Sequence, residues 1–251
     1  MPVNSIDLNA DLGEHPGDYV ELLPLVSSAN VACGSHAGGG QLLIDTIAAA
    51  IDNQVLIGAH PSYPDRENFG RVSLRGQFSV AELVSLISDQ VEIVKTELVS
   101  RGSQLNHIKA HGALYNDAMV HEDIAYCLVQ VATHFRVPVL GLPGSVLAKL
   151  ATANGVTFIA EGFVDRAYTN EGKLVPRWVT GSVLDHDKAL SQVEQLLTKS
   201  QVTSIDGVTI PLIVQTICVH ADTPDAVKTA KDVRALLLEL GIELKGFHSN
   251  G

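Results

Sequence analysis

Residues 6–12 read IDLNADL, and this alternation decides the fold. Successive side chains of an extended chain point to opposite faces, so Asp7, Asn9 and Asp11 share one face while Ile6, Leu8, Ala10 and Leu12 share the other. Such a strand suits a barrel with a polar lumen and an apolar outer surface. A second stretch, NHIKAHGALYN at 106–116, repeats the theme: His107, Lys109 and His111 fall on one face, and Ile108, Ala110 and Gly112 on the other. Three cationic or titratable groups on a face that reads as buried need a reason to be there.

Outward from these stretches, short β-branched runs alternate with segments of helical periodicity, which predicts parallel strands joined by crossover helices. Strands are expected at 6–10, 29–32, 55–59, 105–110, 137–141, 156–160 and 212–219. Ser79 and Glu82 form a capping box ahead of an apolar stripe of Val80, Leu83, Val84, Ile87, Val91, Val94 and Leu98, which Gly102 stops. Pro224 suits the first turn of a last helix, whose stripe is Ala226, Val227, Ala230, Val233, Leu237 and Leu240, with Gly241 beyond it. Between them, VTSIDGVTI at 202–210 reads as a small hairpin about an Asp-Gly turn. No linker or repeat interrupts the chain, so residues 1–251 are expected to form a single α/β domain. A closed β/α barrel of seven or eight strands is favoured over an open doubly wound sheet.

The 251 residues, 46% of them apolar, suffice to bury one large core. With 17 basic against 28 acidic residues the net charge is −11, the wrong sign for a phosphodiester backbone, so nucleic acid is not an expected partner. The sequence does not open on a basic segment followed by an apolar one, and no apolar run approaches a membrane span. Cys33, Cys127 and Cys218 are odd in number and lack CxxC spacing, which argues against a disulfide framework or a thiolate zinc site. Cys33 and Cys218 are expected to be packing residues. Together these features predict a cytoplasmic protein with no membrane partner.

In parallel β/α folds the carboxyl ends of the strands open onto one side, where ligands bind. There the expected strands deliver Asn9 and Asp11, then His36, His60, Lys109 and His111, then Glu161 with Asp165 and Arg166, and finally His220 and Asp222. One histidine ending a strand ordinarily has no chemical role; this many strand ends carrying ionisable groups is a different matter. Asp11, His36, His60, His111 and His220 are oxygen and nitrogen donors that zinc or manganese accepts. Neither HExxH nor HxH occurs, so any metal site would have to be assembled from separate strands, and its ligands stay open. There is no GxSxG elbow and no GxxxxGK[ST] loop. The glycine run HAGGG at 36–40 opens a helix and offers backbone N–H groups to an anion. Two long loops, 60–78 and 161–184, leave the same rim as lids or binding segments, the second being alternatively a packing loop anchored by Trp178.

The blocks DLNADLGE (7–14), NVACGSHAGG (30–39), GAHPSYPD with NFGR (58–71), HIKAHGALYN (107–116), EGFVDRAY (161–168) and ICVHADTP (217–224) resemble the LamB/YcsF family in order and register. The resemblance implies a seven-stranded β/α barrel of the glycoside hydrolase/deacetylase type, acting on 5-oxo-L-proline and opening it to L-glutamate with hydrolysis of ATP. It implies ATP as cofactor, with Mg2+ or another divalent metal as an open addition, and the B and C subunits of a 5-oxoprolinase as partners. For that chemistry Lys109 and Arg166 are expected to meet phosphate or carboxylate charge, Asp11 and Glu161 to act as general base or magnesium ligand, and His111 to move a proton. Asn9, His36, His60, Asp165, His220 and Asp222 are then expected to bind the substrate or orient these groups. The sequence lacks the deacetylases' paired histidines on one helix turn, which departs from a shared metal mechanism. The alternatives are a metal-dependent deacetylase or amidohydrolase that uses no ATP, and a non-catalytic, small-acid-binding regulatory subunit.

Overall fold

The computed structural model describes residues 4–223 and 225–247. The expected role of Pro224 in starting the last helix lies outside the described residues.

Seven parallel strands close into a barrel: β1 (Ser5–Leu12), β2 (Ser28–Ala32), β3 (Leu56–His60), β4 (His107–Ile108), β5 (Val139–Gly141), β6 (Phe158–Phe163) and β9 (Thr216–His220), with β1 pairing both β2 and β9. Between β6 and β9 the chain makes the antiparallel hairpin β7 (Gln201–Thr203) and β8 (Thr209–Pro211), and β10 (Glu243–Leu244) runs alongside the first residues of β1. All seven expected strands shift at their edges, the second and third by one residue, the fifth to Val139–Gly141 and the sixth to Phe158–Phe163. The fourth is reduced to two residues, the seventh starts at Thr216 rather than 212, and the first runs on to Leu12.

The outward face of β1, Ile6, Leu8, Ala10 and Leu12, is buried against surrounding helices. The helix Val80–Ser100, which packs on β3, starts at the expected Ser79–Glu82 capping box and buries Leu83, Ile87, Val91, Val94 and Leu98. Val80 departs from the expected stripe and is exposed, because it occupies the first turn, before the helix has closed onto the barrel. Leu240 departs likewise: it caps the helix Ala226–Glu239 at the surface.

The inward face of β1 is buried as well, although it is polar. Strand register stacks it in layers: Asp7 lies level with Thr216, Asn9 with Ser28 and Cys218, and Asp11 with Asn30 and His220. The lumen is narrow where Gly58 faces His107, since a Cβ on Gly58 would lie 2.2 Å from His107 Nε2. His107 fills that space and hydrogen-bonds Asn30 Oδ1 at 2.7 Å.

At the base of this column the Asp7 carboxylate accepts hydrogen bonds from Ser27 (2.6 Å), Ser28 (2.7 Å) and Thr216. Burial nonetheless pushes its pKa up to about 6, against the pull of those hydroxyls. The folded chain thus holds this proton to about pH 6, while the unfolded chain releases it near 3.8. In that window the folded state binds more protons, so the contribution to stability falls as pH rises, by roughly 3 kcal/mol in all, and is level above it. Asp7→Asn should remove this slope, which denaturant melts at pH 4, 5, 6 and 7 will read.

Candidate active site

Lys109 rises through the lumen and is 2% exposed. Its Nζ lies 2.9 Å from Asp11 Oδ1, 2.8 Å from Glu161 Oε1 and 3.0 Å from Cys218 Sγ, contacts that take up its three protons. Burial alone would strip the ammonium of its charge, but Asp11 and Glu161 outweigh it and hold the pKa well above the ordinary lysine value. Asp11 is the mirror case: burial opposes its charge, His60 and Lys109 prevail, and the carboxyl sits well below the usual range. Asn9 braces the pair from below, donating to Glu161 Oε1 at 3.1 Å and to Thr216 at 2.7 Å.

Beside this ion pair, at the mouth of the lumen, three imidazoles crowd around Glu14. Glu14 reaches them because the turn after β1 is wrapped on Asp18, whose carboxylate accepts the backbone N–H groups of Gly13, Glu14 and His15 at 2.9–3.0 Å. Glu14 Oε1 is 3.0 Å from His36 Nε2, 3.1 Å from His111 Nδ1 and 3.9 Å from His60 Nε2. The rings of His36 and His111 stack with centroids 3.7 Å apart.

Backbone carbonyls fix two of the tautomers. His60 Nδ1 lies 2.8 Å from the Lys109 carbonyl and His111 Nε2 lies 2.9 Å from the Phe69 carbonyl. A carbonyl only accepts, so both of these nitrogens carry hydrogen and the opposite nitrogens are lone pairs when the rings are neutral. Those lone pairs, His60 Nε2 and His111 Nδ1, face each other at 3.0 Å, with Asp11 Oδ2 3.3 Å from the first. Burial lowers His36 to about 4 and lowers His111 too, so neither ring is an imidazolium at neutral pH. Lone pairs and carboxylate oxygens pointed at one spot repel unless a proton or a metal cation stands between them. Glu14, His36, His60 and His111 offer one donor atom each within 4.8 Å of one another, and this nitrogen and oxygen set fits a divalent metal such as zinc or manganese.

The loop that carries Phe69 is packed close. Gly112, at φ 56°, approaches the Gly70 carbonyl so nearly that a Cβ would lie 2.5 Å from it. This contact seats His111 one residue earlier, under the 61–78 loop.

Across the cavity, His220 Nδ1 is 2.8 Å from Asp165 Oδ1, the other oxygen of Asp165 takes the Thr223 hydroxyl, and the ring stacks on Phe163. This leaves Nε2 of His220 without a hydrogen-bond partner among the described residues. The cavity measures about 640 Å3. Of the residues expected from the sequence, Asp11, His60, Lys109, His111, Arg166, His220 and Asp222 line it, while Asn9, His36, Glu161 and Asp165 stand behind them. The guanidinium of Arg166 donates to the carbonyls of Val175 (2.6 Å) and Ser182 (3.3 Å), tying down the 163–185 loop. Asp222 meets Arg71 and Arg177. Trp178 is 86% exposed at the mouth, so it anchors no packing layer; the loop is held by Arg166 instead. The HAGGG run does open the helix Gly40–Asp52, but its Gly38 carbonyl is taken by Arg66 and its backbone packs on Gly13.

Sequence reasoning did not single out Glu14, Arg71 or Arg177. Glu14 lies two residues beyond the strand, where alternation no longer speaks, and the arginines sit within long loops. Their signal was position alone: each falls inside or beside a segment already suspected of forming the rim.

The LamB/YcsF family model matches residues 6–250. The chain belongs to the LamB/YcsF family. It is 42% identical over 257 aligned residues to a protein from Photorhabdus laumondii named as the A subunit of 5-oxoprolinase, covering 98% of this chain and all of that one. Among solved structures, the Lactam Utilization Protein from Thermus thermophilus superposes with a TM-score of 0.89 at 33% identity, over 97% of this chain and 100% of that chain. A family 4 carbohydrate esterase from Streptomyces lividans shares the fold alone, with a TM-score of 0.51 at 13% identity over 98% of this chain and 94% of that one. The glycoside hydrolase/deacetylase type of barrel is therefore the architecture of this chain. Among the described residues no helix is long and apolar enough to cross a membrane.

Adding Zn2+ or Mn2+ to chelator-treated protein should raise its melting temperature by roughly 5–10 °C at a hundredfold excess over Kd. His60→Ala and His111→Ala should each abolish the rise, as read by calorimetry with metal content measured in parallel.

Proposed function

We propose that this chain is the A subunit of a multi-subunit 5-oxoprolinase, which opens 5-oxo-L-proline to L-glutamate with hydrolysis of ATP. The relatives' names and their near-complete coverage support the substrate, and the name of subunit supports the assembly. The observation that carries the reading is the convergence on one cavity floor of a charged Asp11–Lys109 pair, a histidine cluster and a carboxylate-oriented histidine.

A five-membered lactam is unstrained and resonance-stabilised, so its hydrolysis at neutral pH is slow and unfavourable. Transfer of the γ-phosphoryl group to the lactam oxygen makes C5 an electrophile; water adds there, the C–N bond breaks, and phosphate is released, a second water supplying the remaining oxygen. We assign proton transfer to His220 rather than His111. His220 presents a free Nε2 with Asp165 fixing its tautomer, whereas both nitrogens of His111 are engaged. His220 takes the proton from the attacking water and returns it to the departing ring nitrogen. Asp11, with its charge secured by Lys109, steadies the positive charge that His220 acquires, and both belong to one layer of the barrel. What a divalent cation would add at Glu14, His36, His60 and His111 is Lewis acidity.

That four-donor cluster also favours a second reading, a metal-dependent amide hydrolase that uses no nucleotide. Mixing the chain with the B and C subunits and following glutamate and ADP separates the two. The proposal expects both products in step, and a loss of at least about a hundredfold in turnover for Asp11→Asn and for His220→Ala. Glutamate without ADP transfers the case to the second reading, and no glutamate from a mixture of folded subunits rejects both.

A further inference from the structure

The cavity has a polarity that the catalytic floor does not explain. At the floor the carboxylates of Asp11, Glu14 and Glu161 surround a single ammonium, that of Lys109. At the mouth the balance reverses. Arg71, Lys173 and Arg177 line it, in a protein whose overall charge is −11. An anionic group on a ligand is attracted to the rim.

Two of these cations are built into a fork. Arg71 arrives on the 61–78 loop with its guanidinium 4.8 Å over the ring of Phe69, and Arg177 arrives on the 163–185 loop. Both converge on one oxygen of Asp222, at 2.5 Å from Arg71 Nη2 and 3.5 Å from Arg177 Nη1. A guanidinium carries five N–H donors, so a single shared carboxylate oxygen leaves most of both forks free, and among the described residues neither side chain has another hydrogen-bond acceptor. Arginine forks match the planar oxygens of a carboxylate or the tetrahedral oxygens of a phosphoryl group. One aspartate shared between two arginines also leaves a net positive charge facing the cavity.

We propose that Arg71 and Arg177 form an oxyanion subsite at the cavity mouth, with Asp222 as the resident anion that spaces them and that the ligand's carboxylate or phosphoryl group displaces. The assignment rests on the reading of the cavity as the substrate site and deepens it by giving the substrate a direction. The lactam edge enters toward Asp11, Lys109 and His220, and the anionic group stays outward. The subsite would distinguish 5-oxoproline from the same ring without a carboxylate.

Calorimetric titration of the intact chain with L-5-oxoproline, 2-pyrrolidone and inorganic phosphate tests this, using Arg71→Met, Arg177→Met and Asp222→Asn, each checked for fold by circular dichroism and melting temperature. The wild type should bind 5-oxoproline more tightly than 2-pyrrolidone, and each arginine variant should weaken 5-oxoproline by about 10- to 100-fold while leaving 2-pyrrolidone unchanged. Asp222→Asn should bind the anion more tightly, a gain that loss of structure cannot imitate. If phosphate alone depends on the two arginines, the subsite stands with a phosphoryl ligand. If the wild type binds phosphate in this way but not 5-oxoproline, the subsite stands and the substrate reading falls. The subsite is overturned if the arginine variants bind both anions like the wild type, if the wild type binds neither anion, or if folded Asp222→Asn binds more weakly; 5-oxoproline binding that ignores the arginines leaves the substrate reading in place.

Discussion

A buried ammonium sets the terms for the rest of this barrel. Removing Lys109 from water would cost several kcal/mol if it stood alone, and Asp11 and Glu161 offset that only by being buried themselves. The same oxygens also accept amide hydrogens, Asp11 Oδ1 from Asn30 and Glu161 Oε1 from Asn9, and through Thr216 the chain of hydrogen bonds runs down to Asp7. A network of this kind stabilises when it is satisfied and is worse than an apolar core when it is not. The polar face of β1 and the hydroxyls of Ser27, Ser28 and Thr216 are therefore parts of one device, extending from the base of the lumen to its mouth.

The same device shapes the chemistry at the top. Lys109 holds Asp11 ionised through its side chain, and through its carbonyl it fixes the tautomer of His60. The Phe69 carbonyl does the same for His111, from a residue with φ of 56° in the loop above. Main-chain acceptors thus dictate that two imidazoles turn lone pairs toward each other and toward Glu14, an arrangement that makes sense around a cation. Rigid strands supply the distances, and a loop supplies one of the two carbonyls.

Periodicity spoke clearly where a strand had two distinct faces. Asp7, Asn9 and Asp11 were legible as a lumen face because the alternation is strict, and so was the convergence of Asp11, Lys109, His111 and His220, since register in a parallel barrel follows from strand order. It was mute elsewhere. The apolar run from Leu212 reads as strand, but Leu212 and Val214 pack in the loop before β9, and propensity cannot distinguish a buried loop from a buried strand. Glu14 depends on a turn closed by Asp18, and Arg71 and Arg177 on where two long loops come to rest; none of these follows a repeat. Trp178 was read as either anchor or lid, and only burial could decide between them.

Size and lining add a last constraint on what occupies the cavity. At about 640 Å3 it is of a volume that encloses a drug-sized molecule, and a single lactam ring fills only a part of it. The portion away from the charged floor is walled by Met119, Val120, Leu142, Leu174 and Pro176, with Trp178 standing exposed beside it. A small acid held between the floor and the arginine pair would leave that apolar wall exposed to water. Covering that wall calls for a second apolar surface, which the 163–185 loop that carries Trp178 or a group from outside this chain could supply. The apolar character of the wall makes sense under either arrangement, because a surface that is covered only while substrate is bound must release its cover readily, and dispersive contact without hydrogen bonds is suited to that.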